Sequence, residues 1–164
     1  MNINLTEIKT KVYDKCGMAI SEFSYEPESE VYEACRFKLN GMNIIGRTSK
    51  TTPKKIGQFV TFWKRIGNGP IEPFHATDSI DFFTVIVQTK NRLGQFVFPK
   101  STLIEKGIIS TDKKEGKRAF RVYPPWDIAT SSQAKNTQKW QLKYLYEIKA
   151  SIDLKKVKEL YSLL

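Results

Sequence analysis

Between Arg47 and Arg65 the chain reads RTSKTTPKKIGQFVTFWKR, a stretch with Arg47, Lys50, Lys54, Lys55, Lys64 and Arg65 and no carboxylate. The acid-free zone runs further, from Ala34 through Ile71. Cations gathered without compensating acids form an electrostatic footprint for an anion, above all a phosphate. The plainer alternative is a solvated basic face with no ligand. A second basic focus is Lys113-Lys114-Glu115-Gly116-Lys117-Arg118, followed by Arg121. Its glycine lets backbone approach a phosphate closely while Lys117, Arg118 and Arg121 supply charge; a solvated turn explains it equally well. Lys100, after Phe98-Pro99, is placed to line the same cleft. Tryptophan can stack on bases. Trp63 and Trp140 fall at helix-face spacing and read as core, which leaves Trp126, beside Pro124-Pro125, as the stacking candidate.

These side chains need elements to hold them. Thr52-Pro53 resembles a helix start, with an N-cap and a proline at the first helical position. Ile56, Phe59, Val60 and Trp63 then follow at i, i+3, i+4 and i+7, which predicts a helix whose free N–H groups face an anion. Asn4 and Glu7 resemble a capping box for an N-terminal helix stopped at Gly17. Val31–Leu39 and Met42–Ser49 read as strands joined by Asn40-Gly41, the strongest short hairpin signal. Phe82–Gln88 is a continuous β-branched apolar run, as in a strand buried on both faces. Gly94–Phe98 and Phe120–Tyr123 are further strands, with a short helix over Ser101–Lys106 between them. Trp140, Tyr144, Leu145 and Ile148 mark an amphipathic helix, and Asp153 caps a last one. The order predicts an α/β (α+β) fold with a mixed central β-sheet flanked by helices.

Length and composition bound the rest. The 164 residues suit a single domain, 1–164, with a real core. Twenty-seven basic against 17 acidic residues give a net charge of +10, which favours nucleic acid, an anionic surface or a phosphorylated ligand. No apolar run is long enough to span a bilayer, so no membrane role and a cytoplasmic address are expected. Cys16 and Cys35 lack a CxxC partner and His75 is the lone histidine, so zinc sites and histidine-based triads have little support.

The segments CRFKLNGMNIIGRTSKTTPKKIGQFVTFWKR, GPIEPFH, GQFVFPKSTLIEKGI, KEGKRAFRVYPPW and TQKWQLKYLYEI resemble the MepB-like proteins, small bacterial proteins named from an operon that also encodes a multidrug efflux pump. The resemblance implies a restriction-endonuclease-like core: a helix, a β-hairpin with a (D/E)xK motif on its second strand, another helix, then further strands. On that core Lys50 takes the lysine position and Glu33 stands in for the first acid, with Glu7 and Glu22 as other candidates. Thr48 occupies the place of the motif's acid, and Asp81 is the remaining candidate ligand for Mg²⁺. An ion pair from Glu33 to Arg36, Arg47 or Lys50 is the competing explanation for that glutamate. The expected function is therefore nucleic-acid binding, DNA first, in a basic cleft. One alternative is a Mg²⁺-dependent nuclease using Glu33 and Lys50; another is binding of a nucleotide, an anionic metabolite or an acidic protein.

Overall fold

A computed structural model describes residues 1–163. Helix α1 (Ile3–Ile8) is capped by Asn2, whose side chain accepts from the Leu5 N–H at 2.8 Å, rather than by Asn4. It runs on through irregular turns to Gly17, which stops it with φ +70°. Strand β1 (Ile20–Tyr25) leads to a 3₁₀ turn over Glu30–Tyr32 and then to β2 (Cys35–Leu39). The predicted strand over Val31–Leu39 thus begins four residues late, because Ser29 and Glu33 adopt left-handed backbone (φ 58° and 50°) around that turn. Asn40 and Gly41 have φ 49° and 80°, the two positive values a two-residue hairpin needs, and pass the chain into β3 (Met42–Thr48).

The largest departure from expectation comes next. Residues 53–63 form no helix. Strand β4 (Lys50–Thr52) turns at Pro53-Lys54 into β5 (Lys55–Thr61), followed by the short strands β6 (Lys64–Arg65) and β7 (Ile71–Glu72). The helical spacing of Ile56, Phe59, Val60 and Trp63 coexists with an alternation that buries Gln58, Val60 and Phe62. The β-branched and aromatic residues Ile56, Phe59, Val60 and Thr61 favour the strand here. With the helix goes its bundle of free N–H groups, so no helix terminus faces an anion at Pro53.

Strands β8 (Phe82–Gln88) and β9 (Leu93–Pro99) follow, then α2 (Lys100–Glu105), whose N-cap is Pro99 and not Ser101. Next come β10 (Ala119–Val122), α3 (Ser132–Gln141), β11 (Leu145–Glu147) and α4 (Leu154–Leu160), the last capped by Asp153 as expected. The helix predicted across Trp140–Ile148 ends at Gln141. Leu145–Glu147 instead pair with Gly94–Phe96, satisfying the open backbone edge of β9.

The result is a mixed α+β fold. A six-stranded sheet runs β1-β2-β3-β8-β9-β11, antiparallel except for the parallel pair β3·β8. On β8, Phe82 and Ile86 face a core shared with α1 and α4 (Leu5, Ile8, Val157), while Phe83, Val85 and Val87 face the other. That second core is roofed by a three-stranded sheet, β10-β5-β4, through Val60, Phe62, Phe120 and Val122. Phe62 stacks at 4.1 Å on Phe83 and 4.5 Å on Phe74, tying roof to floor. Among the described residues no helix is long and apolar enough to cross a membrane.

Beneath α1 and α4 lies a polar knot. Gln95, fully buried, offers Oε1 to the phenols of Tyr13 and Tyr161, both at 3.2 Å, and to Tyr146; Tyr13 and Tyr161 also share a hydrogen bond of 2.7 Å. Burial pushes the Tyr13 phenol from 10.0 up to about 12, and those of Tyr146 and Tyr161 upward as well. Above pH 10 the unfolded chain releases phenolic protons that the folded chain retains. This contribution to stability is therefore complete below pH 10 and is lost as pH rises through 12. Denaturant unfolding at pH 8, 10 and 11 should give a falling midpoint only above 10.

Candidate functional site

Antiparallel partners share a face, so the register Lys50↔Phe59↔Arg121 sets one row of side chains across the outside of the small sheet. Gln58, Val60, Phe120 and Val122 point inward and anchor it. On the outside, the Arg121 guanidinium lies 5.7 Å from the centre of the Phe59 ring. Its Nη2 donates to Thr52 Oγ1 at 2.7 Å and its Nη1 to the Gly57 carbonyl at 3.3 Å. Gly57 has φ +87°, and a Cβ there would sit 2.5 Å from the Tyr123 ring; only glycine lets that ring lie against the strand. Tyr32 closes the row with its ring 6.3 Å from Phe59. Three half-buried rings and a held guanidinium thus share one exposed sheet surface.

Lysines surround it. Lys50, Lys54, Lys55 and Lys117 are exposed, and none lies within ion-pair distance of a carboxylate among the described residues. Beyond β10 the surface drops into a groove of about 320 Å³ against α3, lined by Lys106, Lys117, Arg121, Tyr123 and Trp140. It continues past Lys106 and Trp140 to Lys139 and Lys143. No carboxylate lines either part. Fully buried Gln141 fixes the walls: its Nε2 donates to the Arg121 carbonyl at 2.9 Å and its Oε1 accepts from the Tyr123 N–H at 2.8 Å. Lys106 sits 5.4 Å from the Trp140 ring, which keeps its partial exposure at the groove.

Several residues singled out in the sequence thus meet here: Lys50, Lys54, Lys55, Lys117 and Arg121. Sequence reading missed Tyr32, Phe59, Tyr123, Lys106, Lys139 and Lys143 as surface-forming groups. A second acid-free run, Ile128 through Tyr146, carried the signal for the last two.

Other candidates are engaged elsewhere. Lys64 is ion-paired with Asp78 at 2.8 Å and with Glu72 at 3.6 Å. Burial pushes the Asp78 carboxyl up, but the His75 N–H and Lys64 outweigh it and hold the group below its ordinary value. Lys100 donates to the Asp78 carbonyl at 2.6 Å. Arg118 pairs with Glu115 at 3.1 Å. One face of Trp126 is covered by the Arg92 guanidinium 4.8 Å from its centre, and its indole N–H is buried, so it is not the open stacking ring expected. Arg47 does not reach the surface either; it is 5% exposed within the six-stranded sheet.

The acids do not converge. Glu33 lines a small pocket with Thr48 and Cys35 near the C-terminal end of β3, and Lys50 is not part of that lining. Asp81 accepts from the Asn43 N–H at 2.7 Å, near the N-terminal end of the same strand. Asn43 and Thr48 are five residues apart, about 16 Å along an extended strand. Mg²⁺ needs oxygen ligands around one point at about 2.1 Å, and this donor set does not fit it. Among the described residues no group of three or more His, Cys, Asp or Glu side chains is placed to hold a metal.

Comparison with known proteins agrees with the architecture. A family model described as MepB-like matches residues 26–147. The chain is similar to the crystal structure of MepB, with 33% identity over 92% of this chain and 100% of that one, at a TM-score of 0.78. A bacterial homing endonuclease, I-Ssp6803I, matches at 14% identity over 85% of this chain and 86% of that one, with a TM-score of 0.44, a likeness too distant to carry activity across. No match was found among curated proteins. A family match over well over half the chain, on the same fold as its relative, means that the chain belongs to the MepB-like family.

Proposed function

We propose that the outer face of the β10-β5-β4 sheet and the groove along α3 bind nucleic acid, with DNA the first candidate. The observation that carries this reading is the combination of Tyr32, Phe59 and Tyr123 with unpaired lysines and no lining carboxylate. Aromatic rings on a sheet accept unpaired bases by stacking, tolerate any sequence, and leave the backbone phosphates to flanking cations. Lys50, Lys54, Lys55 and Lys117 supply those cations around the sheet. Lys106, Lys139 and Lys143 extend them along the groove. The proposed role of this arrangement is to hold a strand.

Fluorescence anisotropy with labelled single-stranded DNA, duplex DNA and RNA tests it. Binding is expected at low salt, tightest for single strands. The logarithm of affinity should fall with log salt by about 0.7 per phosphate neutralised on single strands and about 0.9 on duplex. Absence of binding to all three at low ionic strength sinks the reading. The groove, at about 320 Å³, also has the dimensions of a small-ligand pocket. A nucleotide that raises the melting temperature in a one-site manner, with no oligonucleotide binding, would favour that second reading.

A further inference from the structure

Arg47 has a guanidinium with too few partners. The residue is 5% exposed, yet its side chain's only hydrogen bond among the described residues runs from Nη1 to the carbonyl of its own neighbour, Gly46, at 2.9 Å. Its Nε is buried and has no acceptor, and no carboxylate pairs with it among the described residues. Burial pulls its pKa down to about 10, which leaves it charged at neutral pH. A buried cation is tolerated when something satisfies its donors, and no neighbouring carboxylate does so: Glu33, which lines a small pocket together with Arg47, makes no ion pair with it, and the others are engaged elsewhere. Glu26 pairs with Arg36, and Glu28 with Arg65 at 3.1 Å. Ser29 Oγ already accepts from Thr61 at 3.0 Å.

Arg47 lines a cavity of about 120 Å³ bounded also by Arg36, Lys64, Arg65, Ser29 and Trp63. Of its four cations, Arg36 and Arg65 are paired with its two carboxylates, Glu26 and Glu28, and Lys64 with Asp78 and Glu72, which leaves Arg47 as the one without a carboxylate among the described residues. The volume is well below the roughly 300 Å³ at which drug-sized ligand pockets begin, so it admits a small group and excludes a nucleoside. Arginine's planar fork suits a tetrahedral oxyanion, which it can engage through two parallel N–H donors. The cavity also lies beside the outer sheet face: Ser29, on its rim, is bonded to Thr61, which shares that face with Phe59.

We propose that the cavity around Arg47 binds a phosphate-sized oxyanion, either the free ion or the terminal phosphate of a polynucleotide. The free-ion form stands independently of nucleic-acid binding by the sheet; the chain-end form rests on it. The test is thermal unfolding of the full chain in inorganic phosphate against chloride at matched ionic strength. Phosphate should raise the melting temperature in a saturable way. Arg47→Met, which removes the buried charge at similar length, should lose at least tenfold in phosphate affinity, whereas Lys54→Glu with Lys55→Glu should keep it. Equal shifts in chloride and phosphate overturn the proposal, as does an undiminished phosphate shift in Arg47→Met.

Crystals of the unsubstituted protein soaked in selenate give a second readout that needs no variant. An anomalous peak in the cavity, with an oxygen within hydrogen-bond distance of the Arg47 guanidinium, is expected, and its absence there overturns the proposal. A 5′-phosphorylated oligonucleotide that displaces selenate, where its 5′-hydroxyl counterpart does not, assigns the site to a chain end. Failure of both to displace it assigns the site to the free ion.

Discussion

Replacing Lys50, Lys55 and Lys117 together by glutamate should lower affinity for a single-stranded oligonucleotide by two to three orders of magnitude at about 50 mM salt and flatten the salt slope by about 2. All three lysines are exposed and unpaired with acids, so the folded chain keeps its stability to within about 0.5 kcal/mol per site. Each change removes a cation from the rim of the sheet and sets a like charge against the phosphates. The control is a triple reversal at Lys11, Lys15 and Lys155, which shifts net charge equally but lies with α1 and α4 on the far side of the six-stranded sheet. That variant should change affinity by less than tenfold. If both triples weaken binding alike, the effect is one of overall charge, and the sheet surface has no special role.

Gln95→Leu should lower stability although it conserves volume and adds no charge. The leucine fills the space but offers no acceptor to the phenols gathered there. Tyr13 and Tyr161 can still bond to each other, which leaves the Tyr146 proton and one of theirs without a partner in a dry interior. Each stranded hydroxyl costs about 1–3 kcal/mol, and removing the buried, unpartnered Gln95 Nε2 offsets part of that, so the net is on the order of 2 kcal/mol. For a chain of this size that is roughly a 6 °C fall in melting temperature. Calorimetry reads it directly. A loss below about 1 kcal/mol would mean that the hydroxyls find other partners once Gln95 is gone.

What could be read from the sequence was local. Asn40-Gly41 dictates its hairpin through backbone preferences of two adjacent residues, and the run Phe82–Gln88 carries burial on both faces in its own composition. Residues 53–63 satisfy the helical period and the alternating one at once. What settles them is Val60 meeting Phe120 across the sheet, a contact no local window contains. Leu145–Glu147 became a strand for the same kind of reason, because β9 had an edge to fill. The site divides likewise. Lysine density was visible, but which lysines remain free was not: Lys64 lies inside the acid-free run yet finds Asp78 fourteen residues on. Phe59 and Tyr123 become a surface only once the register with Arg121 is known.

That register also fixes an order of events. Phe59 sits opposite Arg121, sixty-two positions later, so the outer face cannot exist until residues 119–122 have emerged and closed a long loop. The hairpin Lys50–Thr61, by contrast, can form from neighbours alone. A chain still being synthesised therefore presents lysines on a bare ribbon well before it presents a place for a base. In a folding experiment, oligonucleotide affinity should appear with the final closure rather than with the first β-structure.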